Sequence, residues 1–228
     1  ESMDVPAYKI ASFENEHFPL IRKVVQTGKP IIMSTGVIGR EGLDESVACL
    51  RSLGAREFVL LKCTSTYPAL PLNTNLRTIP DMAARYACQV GLSDHTMGIG
   101  VAVAAVAMGA TVIEKHFTLR RADGGVDSAF SIEPAELAAL VAESERAWQA
   151  MGSVTYELSE RERAQTVFKR SVYADRDMPA GHRIEPGDIR VVRPAKGLHP
   201  REFDASHGRV VLRAVRKGEP LTADCLRA

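Results

Sequence analysis

Polar and ionisable residues gather at the ends of short apolar runs in this chain, and that placement is where chemistry would start. Lys9, Ser12 and Glu14 accompany Tyr8-Lys-Ile-Ala, and Ser34-Thr-Gly36 follows Pro30-Ile-Ile-Met. Lys62-Cys-Thr-Ser-Thr-Tyr67 follows Phe58-Val-Leu-Leu, Ser93-Asp-His95 follows Val90-Gly-Leu, and Glu114-Lys-His116 follows Thr111-Val-Ile. His95 and His116 close successive runs, so their imidazoles could share one divalent cation, with carboxylate or water oxygens completing the shell. Alternatively, one ring is a satisfied rim residue and the other acts alone. Lys9 with the hydroxyls of Ser12, Ser65 and Ser93 combines a point charge with donors, which suits a phosphate or carboxylate. Lys9 and Lys62 are also the amines a Schiff-base aldolase would use. Asp94 either orients a ligand or caps the next helix. Asp127, in Gly124-Gly-Val-Asp-Ser, reads as a turn residue, and Tyr67 before Pro68 either packs at the rim or meets a substrate hydroxyl.

These groups need elements that bring them to one place. The five apolar runs are β-prone, too short for helices, and start 22 to 31 residues apart, the length of a strand, a helix and two loops. Leu43, Val47 and Leu50 at helical spacing, Leu76 to Cys88 and Gly98 to Ala110 fill the intervals as helices. Alternation of this kind predicts parallel strands with crossover helices, and in such folds ligands meet the C-terminal strand ends. A last helix is expected from Ser131, with Pro134 in its first turn, to a stop at Gly152. The charged stretch 153–170 reads as a solvated linker. After Arg170 come β-prone runs (Ser171-Val-Tyr-Ala, Ile189-Arg-Val-Val, Arg209-Val-Val-Leu) broken by Gly and Pro. Met178, Gly181, Ile184 and Ile189 are echoed 37 residues later by Val215, Gly218, Leu221 and Leu226. The expected division is an αβ domain over 1–152, the linker, and a small β-rich domain over 171–228.

The 228 residues suffice for two cores, and 29 basic against 28 acidic residues argue against a nucleic-acid or membrane-surface partner, since both need a concentrated positive face. A small-molecule partner is the better expectation. Cys49, Cys63, Cys88 and Cys225 show neither zinc spacing nor a secreted disulfide framework, which fits a reduced, cytoplasmic setting.

The ordered segments Tyr8-Lys-Ile-Ala-Ser-Phe-Glu14, Lys62-Cys-Thr-Ser-Thr-Tyr-Pro68, Gly91-Leu-Ser-Asp-His95, Ile113-Glu-Lys-His-Phe117 and Arg193-Pro-Ala-Lys-Gly-Leu-His-Pro200 resemble the nonulosonic acid synthases, in particular the pseudaminic acid synthase branch. The resemblance implies a (β/α)₈ barrel followed by an antifreeze-like (SAF, β-clip) domain. It implies condensation of phosphoenolpyruvate with a 2,4-diacetamido-2,4,6-trideoxy hexose and release of phosphate. N-acetylneuraminate and legionaminate synthesis are alternatives within the family, and a non-catalytic sugar-binding module is the alternative outside it. Carried over by motif, His95 and His116 would hold a divalent metal, usually Mn²⁺, with Mg²⁺ or Co²⁺ as substitutes. Lys9, Ser12, Ser65 and Ser93 would hold phosphoenolpyruvate, and Glu14 and Asp94 would serve catalysis. Tyr67 and Asp127 would contact the sugar, and Arg193 would reach its acyl group across a domain-swapped homodimer. Ser65 stands where sialic acid synthases commonly have Asn, and Ala11-Ser-Phe13 replaces a Gly-rich version; both favour the pseudaminic branch. A closed barrel has eight βα units and about five are legible here, so roughly 100 further residues, with three more units and their site residues, are expected ahead of this segment. This chain alone is then expected to be inactive.

Overall fold

Aliphatic and β-branched residues form the expected strands in the computed structural model, which describes residues 4–227. The strands are β1 (Tyr8–Ile10), β2 (Ile31–Ser34), β3 (Phe58–Cys63), β4 (Gln89–Asp94) and β5 (Ile113–Lys115). They make one sheet in chain order with every neighbouring pair parallel. Helices α1 (Phe18–Val25), α2 (Arg40–Ser52), α3 (Thr78–Tyr86) and α4 (Gly100–Ala107) are the crossovers, and α5 (Pro134–Met151) follows β5. This is part of a (β/α)-barrel, with five strands of the eight that closure takes.

Register decides which side chains meet. Ile10, Met33, Leu60 and Val90 are successive partners across the sheet and are all buried. They face the helices, where Ile21 and Val24 of α1, Leu43, Val47 and Leu50 of α2, and Ile79 and Met82 of α3 complete the core. Truncating one such side chain, Leu50→Ala for instance, costs about 2–5 kcal/mol. Because side chains alternate along a strand, Lys9, Ser34, Gly91, Ser93 and Glu114 face the other way. Gly91 is there because a Cβ would lie 2.2 Å from Val112 O and 2.7 Å from Leu61 Cδ2.

Two boundaries and one helix differ from the sequence expectation. Pairing with β4 already involves Thr111 N–H, which donates to Val90 O at 2.9 Å, but the ladder itself runs over Ile113–Lys115. Helix α5 starts at Pro134 rather than Ser131, because Ile132 bridges Phe117 and leaves Glu133 as the cap, its N–H 2.8 Å from Glu136 Oε2. Helix α1 was not singled out, although Pro19 opens it and Ile21 and Val24 mark its buried face.

The chain divides between Ser153 and Val154 into two compact units. Within the second, α6 (Glu160–Gln165) is capped by Ser159, whose Oγ accepts from Glu162 N–H at 3.3 Å. Strands β6 (Ser171–Ala174) and β7 (Ile189–Val192) pair antiparallel, and a one-turn helix α7 (Phe203–Ser206) follows. Arg209-Val-Val-Leu forms isolated bridges instead of a strand, with Val210 opposite Arg183 and Val211 opposite Leu226.

The 37-residue echo has a physical counterpart here: its two copies pair with each other. Met178 and Val215 exchange both backbone hydrogen bonds, at 2.8 and 2.9 Å. Gly181 N–H donates to Val211 O at 2.7 Å, and its counterpart Gly218 N–H donates to Ala174 O at 2.8 Å. The same relation links Ile184 N–H to Arg209 O with Leu221 N–H to Val172 O. Gly181 and Gly218 have φ of +85° and +83°, a conformation that favours glycine in each copy. The unit is thus approximately twofold, with Met178, Ile184, Ile189, Val211, Val215, Leu221 and Leu226 as its core.

Candidate active site

The barrel-side face of the sheet carries a connected set of polar groups. Lys9 Nζ donates to Ser34 Oγ at 2.8 Å and lies 3.5 Å from Glu114 Oε1, which accepts from Ser93 Oγ at 2.7 Å. Four strands, β1, β2, β4 and β5, thereby contribute to one network. Beside it, Ser12 Oγ donates to Cys63 Sγ at 3.3 Å and accepts from Gly36 N–H at 3.1 Å, and Ser65 Oγ lies 3.5 Å from the same sulfur. A Cβ on Gly36 would lie 2.1 Å from Ser65 Oγ and 2.7 Å from Ser12 Oγ, so glycine keeps these hydroxyls close to the backbone. Burial pushes the Cys63 thiol up, but hydrogen bonds with His95, Ser12 and Ser65 outweigh it and bring the thiol down to about 7.

His95 is buried, and its Nδ1 lies 3.0 Å from Thr64 O and 3.9 Å from Cys63 Sγ. A carbonyl can only accept, so the neutral ring carries its proton on Nδ1 and leaves the Nε2 lone pair free. Burial disfavours the charged ring, yet the interactions with Cys63 and Thr64 win and raise its pKa. His116 Nδ1 lies 3.6 Å from Asp127 Oδ2. Its pKa is lowered, first by burial and then by His95, against the pull of Asp127. The two rings are 5.2 Å apart. Tyr67 packs on His95 at 4.4 Å, and Phe130 closes the other side, 5.0 Å from His116.

The donor chemistry fits a divalent ion: two imidazoles on one face, each with an oxygen near Nδ1, are the arrangement that fixes metal-binding histidines. Among the described residues no group of three or more His, Cys, Asp or Glu side chains is placed to hold an ion. Among the described residues this chain offers two imidazole nitrogens, and an ion held by them would take its remaining ligands as oxygens.

Of the residues singled out in the sequence, Lys9, Ser12, Ser65, Tyr67, Ser93, His95, His116 and Asp127 lie in these two linked clusters. Glu14 is half-buried in the turn Ser12–Glu14 that follows β1. Asp94 departs from its expected roles. It pairs with Lys115 across β4 and β5, and alternation sends both side chains to the face opposite Ser93 and Glu114. Nor does it cap the next helix, since α4 has Ile99 at its cap. Lys62 also lies off the barrel-side face, with its ammonium 3.0 Å from Cys63 O, which removes it as a Schiff-base amine there. Arg193 belongs to the second unit. It lines a basic groove of about 830 Å³ there, together with Arg163, Lys169, Arg170 and His199.

Sequence reasoning passed over Ser34, Cys63 and Glu114 as site residues. The available signal was spacing: Glu114 is two residues before His116 and Cys63 two before Ser65, so each shares a face with a residue already chosen.

Residues 1–156 match the model of the NeuB family and residues 169–227 that of the SAF domain. The chain is 37% identical over 218 residues to the pseudaminic acid synthase of Campylobacter jejuni subsp. jejuni serotype O:2, which covers 96% of this chain and 64% of that protein. It is 32% identical over 225 residues to the pseudaminic acid synthase of Helicobacter pylori, covering 98% and 66%. The chain thus spans a little under two thirds of the length of these curated relatives. Among solved structures, the N-acetylneuraminic acid synthetase of Leptospira borgpetersenii serovar Hardjo-bovis, in complex with citrate, superposes with a TM-score of 0.67 at 34% identity, over 72% of this chain and 57% of that one. Motif order, strand topology and the family match agree, and the chain belongs to the NeuB family, with a SAF domain following its barrel segment.

Proposed function

We propose that this chain forms part of a pseudaminic acid synthase, which condenses phosphoenolpyruvate with a 2,4-diacetamido-2,4,6-trideoxy hexose and releases phosphate. The observation that carries the reading is the single face on which Lys9, Ser93, His95 and His116 converge, in a chain 37% identical to a pseudaminic acid synthase. Lys9, Ser12, Ser65 and Ser93 bind the phosphate and carboxylate of phosphoenolpyruvate through one ammonium and three hydroxyls. His95 and His116 would hold a divalent ion, Mn²⁺ in this reading, which would supply Lewis acidity toward the open-chain sugar's aldehyde. Tyr67 and Asp127 orient the sugar beside it. The enol carbon of phosphoenolpyruvate then forms a bond to the aldehyde carbon. Water adds to the cationic carbon left behind, and phosphate departs by C–O cleavage. Glu14 acts near the reacting carbons, and preorganised charge supplies most of the acceleration. The working form in this reading is a cytoplasmic, domain-swapped homodimer, in which Arg193 of one copy meets the sugar's acyl group in the other.

The test is phosphate release from phosphoenolpyruvate by the intact gene product with Mn²⁺, comparing trideoxy diacetamido hexoses with N-acetylmannosamine. Release with the diacetamido hexoses, lowered by about 10²–10³-fold in His116→Ala, is expected on the scale of lost electrostatic stabilisation. Preference for N-acetylmannosamine would move the chain to the sialic branch. No release with any of these sugars removes the reading.

A further inference from the structure

The residue before each metal-binding histidine of the proposed site is charged, and the two charges meet. Lys115 Nζ donates to Asp94 Oδ2 at 2.8 Å and to Thr96 O at 2.6 Å, while Asp94 Oδ1 accepts from Thr96 N–H at 2.9 Å. The side chains of Lys115 and Asp94 are only 3% and 0% exposed. Four groups from the ends of β4 and β5 and the loop after β4 are thus closed into one sealed knot. Asp94 and Lys115 are register partners, so the next residues, His95 and His116, leave the sheet from adjacent points on its opposite face.

Two further bonds fix the backbone at the same level. His95 O accepts from Ala69 N–H at 2.9 Å, and His116 O accepts from Ile132 N–H at 2.9 Å. These hold each histidine to a neighbouring loop. The Asp94–Lys115 knot, by contrast, ties the two strand ends to each other through side chains. A buried ion pair contributes little net stability compared with apolar residues of the same shape. That weakness leaves its presence behind two facing imidazoles to be explained by geometry.

We infer that Asp94 and Lys115 are positioning residues, which set the spacing and facing of the His95 and His116 rings from the far side of the sheet. The inference rests on the proposed metal site for its consequence, and on the sheet register for its geometry. Groups hydrogen-bonded directly to metal ligands change metal affinity by about 10–100-fold when removed, and that sets the upper scale for residues that position the ligands through the backbone.

The experiment measures Mn²⁺ affinity by electron paramagnetic resonance of the free ion with the intact gene product. Asp94→Asn and Lys115→Met each leave one buried charge unpaired and endanger the fold. The double variant D94N/K115M removes both charges and is expected to keep the wild-type melting temperature within a few degrees. Its Mn²⁺ affinity is expected to fall about 10-fold or more, whereas a folded double variant with wild-type affinity overturns the inference. The metal-free chain gives an independent readout in nuclear Overhauser effects among the Tyr67, His95 and His116 rings. Weakened or vanished effects in the folded double variant support positioning, and effects of wild-type strength overturn it. Absence of Mn²⁺ binding in the wild type, with the ring-to-ring effects abolished in the double variant, would remove the metal reading and leave the positioning role standing.

Discussion

Gly91 in the first unit and Gly197 in the second meet the same constraint in different surroundings. A Cβ on Gly91 would lie 2.2 Å from Val112 O, the backbone approaching the neighbouring strand of a regular ladder. A Cβ on Gly197 would lie 2.4 Å from Val172 O and 2.8 Å from Leu221 O. Those two residues are themselves joined, Leu221 N–H to Val172 O at 3.0 Å, where the half-repeats cross. The first unit is ordered by layers, in which each strand repeats the inward and outward pattern of its neighbour. Among its described residues the second has one two-stranded ladder and isolated bridges, and is ordered by the pairing of one half-repeat with the other. Layers leave the strand ends of one face to function; crossings commit most of the backbone to holding the unit together.

The largest expected effects come from filling those two close approaches. Gly91→Ala and Gly197→Ala each force backbone apart and are expected to cost about 3 kcal/mol or more, the upper range for overpacking. Hydrogen exchange read by mass spectrometry should show reduced protection mainly in the unit that carries the substitution. Equal reduction in both units would break the comparison.

A smaller effect concerns Asp188, a buried carboxylate of the second unit. His182 Nε2 lies 2.7 Å from its Oδ2, which also accepts from Glu185 N–H at 2.8 Å, and Arg176 is 3.5 Å away. Burial pushes this carboxyl up, but the His182 and Glu185 hydrogen bonds and the nearby charges win and hold it below its ordinary 3.8. A carboxyl with a depressed pKa binds fewer protons folded than unfolded. Its contribution is therefore complete above the unfolded value and lost as the pH falls through the folded one. As far as Asp188 governs it, the second unit's melting temperature should be independent of pH above about pH 5 and decline below about pH 4. Asp188→Asn should flatten that decline, and an unchanged profile would count against the assignment. His182→Ala at neutral pH is expected to cost about 1–3 kcal/mol in urea unfolding, the range for leaving a buried acceptor underserved.

The smallest test is also the sharpest for the twofold. Gly181→Ala and Gly218→Ala place a Cβ on matching left-handed turns and should each cost about 1–2 kcal/mol. The two values should agree within about 0.5 kcal/mol if the half-repeats are energetically equivalent. A clear inequality would confine the twofold to the backbone.

How much of this was legible follows from which links are local. A run such as Phe58-Val-Leu-Leu declares a strand by itself, and the polar residues after each run declare a rim. Periodicity likewise exposed Leu43, Val47 and Leu50 as the buried side of α2. Faces are not local, because they depend on which residue pairs with which across the sheet. Ser93 and Asp94 are adjacent and equally polar, and only the register with Glu114 and Lys115 sends one into the site and the other behind it. Glu114 was visible at the end of its run, but for the same reason its face, shared with Ser93, was not. In the second unit the echo was visible as spacing, but nothing in the spacing said that its copies would bond to each other instead of lying side by side.

That exchange of bonds between half-repeats bears on how the chain is made. Met178 finds its partner in Val215 and Gly218 donates back to Ala174, so residues 171–192 emerge from synthesis with these partners still untranslated. The loop to be closed spans 37 residues between Met178 and Val215, an entropic cost with no earlier reward across the repeat. During that interval Val172, Met178, Ile184 and Ile189 have no complete core to enter. The β6–β7 ladder can pair within the first half-repeat, but the core of the second unit is completed only when the second half-repeat is available.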